Sequence, residues 1–160
     1  DGSFIKSTSG EELRSFNALD GVGFVVLRLL DLNVKTAWIT GRESLTTTQR
    51  AEELQIDDVY NGVIRKIDAY NELKKKYELS DSEVCFIGDD IIDIPILEKV
   101  GFAVTVPNAP KYIFNYAHYT TAVEGGKGAV REVIDLLIES KGDFSEQLDK
   151  LLSDLRWHLT

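Results

Sequence analysis

Three carboxylates within five residues mark where this chain could do chemistry. Gly88-Asp89-Asp90-Ile91-Ile92-Asp93 follows directly on the apolar run Val84 to Ile87. A buried strand that ends in acids delivers them to its carboxyl end, where open α/β sheets keep their ligand crevice. Clustered carboxylates repel one another, and a hard cation such as Mg²⁺ relieves that repulsion. The plainer alternative is an acidic cap on the following helix, since Asp is favoured at helix starts. Two further runs end in chemistry-capable groups. Val34 to Ile39 leads to Thr40-Gly41-Arg42, and Val59-Tyr60 leads through Asn61-Gly62 to Arg65-Lys66. A threonine and backbone N–H groups just before a helix make an anion site. A lysine neutralises phosphoryl oxygens as a point charge. Each has a bland alternative: Thr40-Gly41 as a turn, and Lys66 as one of the solvated lysines of a helix that also carries Lys74, Lys75 and Lys76. Brought together at successive strand ends, the hydroxyl, the lysine and the acids suit phosphoryl transfer, where catalysis is positioning plus charge stabilisation.

The elements that must position these groups follow from spacing. Phe4 to Ser7 and Leu13 to Phe16, with Ser9-Gly10 between them, read as a hairpin. Phe24, Leu27 and Leu30 predict a helix from Asp20 to Leu30. Val34 to Ile39 reads as a strand, and Ser44 as the cap of a helix through Leu54. Val59-Tyr60 is a short strand and Ile67 to Tyr77 an amphipathic helix. Val84 to Ile87 is the next strand, with a helix to Val100 whose Pro95 fits only in its first turn. Phe102 to Val106 and Tyr119-Thr120 follow as strands, then a helix over Ala129 to Ser140. Short apolar strands alternating with helices predict an α/β fold with a doubly wound parallel sheet. The domain is expected over residues 1–142. The tail, 143–160, places Phe144, Leu148, Leu151, Leu152 and Leu155 at helical spacing, as a helix packed on another surface, that of another subunit included.

Composition narrows the class. The chain has 160 residues, is 43% hydrophobic and carries a net charge of −9. That suits one domain with a full core and argues against nucleic acid as a partner. The single cysteine, Cys85, lies in an apolar run and allows no internal disulfide, which points to a reducing, cytoplasmic setting. No apolar stretch reaches membrane-spanning length and no signal peptide opens the chain, so no membrane partner is expected.

Thr40, Lys66 and Gly88-Asp89-Asp90-x-x-Asp93 resemble the second, third and fourth motifs of the haloacid-dehalogenase-like (HAD) phosphatases. Gly10-Glu11-Glu12-Leu13, Phe16-Asn17, Asp20-Gly21-x-Gly23, Ile39-Thr40-Gly41-Arg42 and Ile87-Gly88-Asp89-Asp90 also match, and the closing Gly125-Gly126-Lys127-Gly128-Ala129-Val130-Arg131-Glu132 is similar to the subfamily acting on sugar acid phosphates. The resemblance implies a Rossmann-like HAD domain without a large cap. Its hairpin would serve assembly into a homotetramer in which a neighbouring subunit covers each active site. It implies Mg²⁺ held by Asp89, with Asp90 and Asp93 supporting the site and Asp93 orienting Lys66. Thr40 and Lys66 would be catalytic. Asn17, Asp20, Gly21, Gly41, Arg42, Arg50, Lys127 and Arg131 would bind substrate. The implied substrate is 3-deoxy-D-manno-octulosonate 8-phosphate (KDO 8-phosphate), in lipopolysaccharide precursor synthesis. Forked cationic donors such as Arg42 and Arg50 suit a carboxylate-bearing sugar phosphate.

Two departures stand out. The family opens with a D-x-D-G-V motif whose first Asp is the nucleophile and whose second is the general acid/base. Ser3-Phe4-Ile5 aligns best just past it, so the first strand and the nucleophile are expected to lie before Asp1, and the chain as written should not form an aspartyl-phosphate. Leu19 stands where the family often has a basic residue. Rival readings are a phosphatase of nine-carbon acids such as KDN 9-phosphate, and a non-catalytic oligomerisation module of the same fold. Gly41-Arg42 favours the eight-carbon substrate, and intact Thr40, Lys66 and Asp89 argue against the module. A signalling receiver domain needs its acid pair early and its lysine late, the reverse of the order here.

Overall fold

The computed structural model describes residues 4–6, 8, 12–142 and 144–157. Strand β1 (Phe4–Lys6) pairs antiparallel with β2 (Glu12–Arg14), Ile5 opposite Leu13. Ser15, Phe16 and Asn17 leave the ladder, so the second arm ends earlier than its apolar residues imply. Most of the expected turn, Ser7 and Ser9-Gly10, lies outside the described residues.

Helix α1 (Ala18–Leu29) starts at Asn17, whose Oδ1 accepts from Leu19 N–H at 2.8 Å. Strand β3 (Ala37–Thr40) begins later than Val34. Thr36 is held away from the ladder: its N–H and its hydroxyl both donate to Asp57, each at 2.9 Å. Val34 packs instead beside Leu27 and Leu30. Helix α2 (Leu45–Leu54) has Ser44 at its N-cap position, but the serine side chain makes no capping bond. Asn61 takes over: its Oδ1 accepts from Ser44 N–H and its Nδ2 donates to Ser44 O, at 3.0 and 2.9 Å.

Strand β4 (Asp58–Asn61) runs parallel to β3. Helix α3 (Lys66–Lys76) follows, and β5 (Cys85–Ile87) runs parallel to β6 (Phe102–Thr105), which runs parallel to β7 (Tyr119–Thr120). The segment after β5 is not the long helix expected. It is a 3₁₀ turn, Ile91–Asp93, then one turn of helix, α4 (Ile94–Leu97), with Pro95 in that turn. The cause is Asp93, whose carboxylate bends back to the N–H groups of Asp89 and Asp90 and tightens the chain. Helices α5 (Ala129–Ser140) and α6 (Phe144–Trp157) close the chain.

Parallel strands arise as two blocks, β3–β4 and β5–β6–β7; among the described residues β3 and β5 each have one strand partner. Helices cover both sides. Tyr70, Ile96, Leu97, Val100, Ala103 and Ile113 form one core between α3, α4 and the β5–β6 strands. Leu27, Leu30, Ile134, Ile138 and Leu151 form a second, joining α1, α5 and α6. Through Leu151 the tail helix therefore packs on its own chain, while Leu148 and Leu152 remain exposed. Each buried aliphatic side chain contributes about 1.5–3 kcal/mol, so these two cores fix the strand ends between them. Among the described residues no helix is long and apolar enough to cross a membrane.

Candidate active site

The ends of β3 and β5, the start of α3 and one face of α1 surround a cleft of about 640 Å³. Thr40, Gly41 and Arg42 enter it from the end of β3, and Lys66 from the first turn of α3. Asp89 and Asp90 enter from the end of β5, and Asn17, Asp20 and Gly21 from α1 and its cap. Arg50 reaches in from α2. Three residue types that sit 26, 23 and 49 positions apart in sequence thus line one cleft: Thr40, Lys66 and Asp89.

Asp93 is buried, 1% exposed. Its Oδ1 accepts from Lys66 Nζ at 2.6 Å; its Oδ2 accepts from the N–H groups of Asp89 and Asp90 at 3.0 and 3.1 Å. A buried ion pair costs desolvation, and satisfied lone pairs are what make it tolerable. Here three donors meet the two oxygens. The arrangement needs Gly88: a Cβ there would lie 2.6 Å from Asp93 Cβ and 2.9 Å from Phe86 Cε1. Asp90 Oδ1 accepts from Ile91 N–H at 2.7 Å and caps the 3₁₀ turn, so this acid does carry the plainer, structural duty as well.

Asp89 is different. Its carboxylate opens on the cleft, yet protein atoms around it push its pKa above the ordinary value. Desolvation is the largest cause, Asp93 adds repulsion, and Lys66 offsets part of it. A hard cation would remove that penalty, and a carboxylate oxygen is the donor Mg²⁺ prefers. Among the described residues no cluster of three or more His, Cys, Asp or Glu side chains stands ready to chelate an ion. The donor set therefore fits a Mg²⁺ that takes few protein ligands and completes its shell with water and substrate oxygens, as this ion commonly does. Cys85, on the strand leading here, is no nucleophile: burial pushes its thiol up to about 12.

At the end of β3 the Thr40 hydroxyl lies 3.3 Å from both Arg42 N and Arg42 O, within a tight turn. The cleft is also lined by cationic and aromatic side chains. Arg50 is half-buried, with Nη1 donating to Glu53 at 2.9 Å. Phe24 and Trp38 meet edge to face at 5.9 Å between centroids. Asn17 Nδ2 donates to Gly126 O at 3.3 Å and brings the glycine-rich loop to the rim. Asp20 Oδ1 accepts from Arg131 N–H at 3.0 Å, tying α1 to the first turn of α5. Lys127 and Arg131 do not line the cleft. Lys127 is exposed, and the Arg131 guanidinium pairs with Asp135 on its own helix at 2.8 Å. Phe16, quoted in a motif but given no role, lines it too, as do residues that the motifs passed over: Arg14, Phe24, Trp38, Ile64 and Ile92. The signal of the apolar ones was weak, since an apolar residue in a helix or beside a strand end reads as core.

Fold and site together define an α/β domain with parallel strands whose ends carry a hydroxyl, a lysine and a carboxylate suited to phosphoryl groups. Residues 25–134 match the model of the haloacid dehalogenase-like hydrolases. The chain is 39% identical over 146 residues to the 3-deoxy-D-manno-octulosonate 8-phosphate phosphatase KdsC of Salmonella typhi, which covers 91% of this chain and 77% of that protein. It is 41% identical over 138 residues to KdsC of Yersinia pestis, covering 86% and 73%. Its structure is similar to that of 3-deoxy-D-manno-octulosonate 8-phosphate phosphatase from Moraxella catarrhalis in complex with magnesium, phosphate and KDO. There the TM-score is 0.88 at 33% identity, over 93% of this chain and 84% of that one. This chain belongs to the haloacid dehalogenase-like hydrolase family.

Proposed function

We propose that this protein is a phosphatase that hydrolyses a sugar acid phosphate, KDO 8-phosphate, with Mg²⁺. The observation that carries the reading is the cleft itself, lined by Thr40, Lys66 and Asp89 together with Arg42 and Arg50. In this reading the Thr40 hydroxyl donates to a phosphoryl oxygen, and Lys66, held rigid by Asp93, places its charge beside another. Asp89 holds Mg²⁺, which when bound supplies positive charge to the phosphoryl group. Asp90 and Asp93 support the turn that presents Asp89. Arg42 and Arg50 receive the sugar carboxylate, because a guanidinium fork matches a carboxylate bidentately. Asn17, Asp20, Gly21 and Gly41 shape the sugar side, with Lys127 and Arg131 acting through the loop that ends at α5. The attacking carboxylate is that of an opening D-x-D-G-V segment, which residues 1–160 do not contain. The named activity of the Salmonella, Yersinia and Moraxella relatives supports the substrate.

The domain in this reading is residues 1–142, with 143–160 as an accessory helix. Its setting is cytoplasmic, where a lone buried thiol and a phosphorylated sugar are both at home. Assembly follows from the hairpin. Ile5 and Leu13 face each other in register and are 68% and 62% exposed. A two-stranded ribbon is marginal alone, and such a pair calls for cover. Copies of the same ribbon in a closed homotetramer supply it.

A crystal structure of the protein with Mg²⁺, inorganic phosphate and KDO tests the assignment of groups. The expected result is phosphate against Thr40 and Lys66, metal on Asp89 and the sugar carboxylate on the arginines. Asp89→Ala should lose the metal and keep the fold. Ligands seated outside the cleft, or a sugar carboxylate on Lys66, would overturn the assignment.

A further inference from the structure

Gly21 lies inside α1, buried, and forms part of the cleft wall. A helix interior disfavours glycine relative to alanine, so a glycine there needs a local reason. The reason is on the neighbouring helix. A Cβ at Gly21 would lie 2.5 Å from Arg50 Nη2 and 3.6 Å from Arg50 Cζ, with Leu54 Cδ2 at 3.4 Å. The guanidinium occupies the space a side chain would fill. Gly23, two residues on, serves another purpose. A Cβ there would meet Ile134 Cδ1 at 3.0 Å and Arg131 Cδ at 3.1 Å, so it lets α1 pack closely on α5. Arg50 is itself incompletely used. Nη1 binds Glu53, while Nε is buried and has no hydrogen-bond partner among the described residues. An unpaired buried donor is costly, and at the edge of a cleft it marks a place for an acceptor that arrives with a ligand.

We propose that Gly21 is a positioning residue: the hollow left by its missing side chain seats Nη2 of Arg50 and so holds the guanidinium in the cleft wall, where it meets the substrate's carboxylate. This rests on the reading of Arg50 as a carboxylate contact. The clash that a methyl group would create falls on the far end of a flexible side chain, not on backbone. Folding therefore tolerates it, and the arginine yields.

The test is a set of four proteins, wild type, Gly21→Ala, Arg50→Lys and the double variant, titrated with KDO by calorimetry and melted in parallel. Arg50→Lys keeps the charge but removes Nη2. The expected result is that Gly21→Ala melts no lower than wild type and weakens KDO binding by about tenfold or more. In the Arg50→Lys background the same substitution should change affinity by less than about twofold. Weaker binding in Arg50→Lys with wild-type binding in Gly21→Ala would overturn the role of Gly21. Equal losses in both backgrounds, or a lowered melting temperature in Gly21→Ala, would also overturn it, since the methyl would then act through something other than Nη2. If neither single variant moves KDO affinity, or wild type does not bind KDO, the reading of Arg50 as a carboxylate contact fails first.

Discussion

Lys66 does two things at once. Its ammonium satisfies a carboxylate that is 1% exposed, and it presents charge to the cleft. Removing it should therefore harm both folding and turnover. Asp93 keeps two backbone donors in Lys66→Ala, so the loss of stability should fall near about 3 kcal/mol, the low end for breaking a buried pair. The loss in kcat should be larger, about 10²–10³-fold, as for deletion of one preorganised charge or donor. Urea unfolding and steady-state kinetics on one preparation check both numbers. A variant of wild-type stability and near wild-type kcat would contradict both duties. At this scale the sequence was informative because Thr40, Lys66 and Asp89 each follow an apolar run, and a strand end is a position that spacing can reveal. Arg50 against Gly21 was not legible as a contact. It depends on how α1 and α2 pack, and nothing local in either helix encodes it.

One carboxylate ties helix α5 to the segment that leads from β7 toward the glycine-rich loop. Glu132, on α5, accepts from Tyr119 O–H at 2.7 Å and from the N–H groups of Ala122 and Val123. Desolvation alone would raise its pKa, but the bonds from Ala122, Tyr119 and Val123 outweigh it and hold the carboxyl below its ordinary value. A carboxyl with a depressed folded-state pKa contributes stability above its unfolded pKa, and that contribution is lost as pH falls through the folded value. Glu132→Gln should therefore flatten the acid side of the stability–pH curve, with the difference from wild type shrinking below about pH 4. Urea melts across that range check it. A constant gap between the two proteins at every pH would mean the carboxylate charge is irrelevant. The element scale also shows where periodicity misleads. Pro95 and the apolar residues after Asp90 read as one helix to Val100. Yet the Asp93 carboxylate turning back on Asp89 and Asp90 leaves only a 3₁₀ turn and a single helical turn. A local side-chain-to-backbone hydrogen bond, over only three and four residues, competed with helix at the place where the chemistry needs a sharp bend.

For the whole molecule, some of the exposed apolar residues stand on the ribbon and at the cleft. Ile5, Leu13 and Phe16 belong to the ribbon and its exit, while Ile64 and Ile92 belong to the cleft. Phe16, Ile64 and Ile92 line the cleft itself. A neighbouring copy that covered the ribbon would stand close to this mouth. Light scattering at micromolar concentration should give a tetramer, and Ile5→Glu with Leu13→Glu should release smaller species. A stable monomer in the unmodified protein would contradict the closed assembly. A net charge of −9 does not prevent a locally apolar patch from pairing.

The central claim is that this cleft removes phosphate from a sugar acid. Phosphate release decides it most directly, measured with the protein carrying an opening D-x-D-G-V segment against KDO 8-phosphate, KDN 9-phosphate and a neutral sugar phosphate. The account predicts Mg²⁺-dependent turnover with KDO 8-phosphate giving the highest kcat/KM, a poor rate on the neutral ester, and no turnover by residues 1–160 alone. Equal rates on all three esters, or no turnover of any sugar acid phosphate, would contradict it.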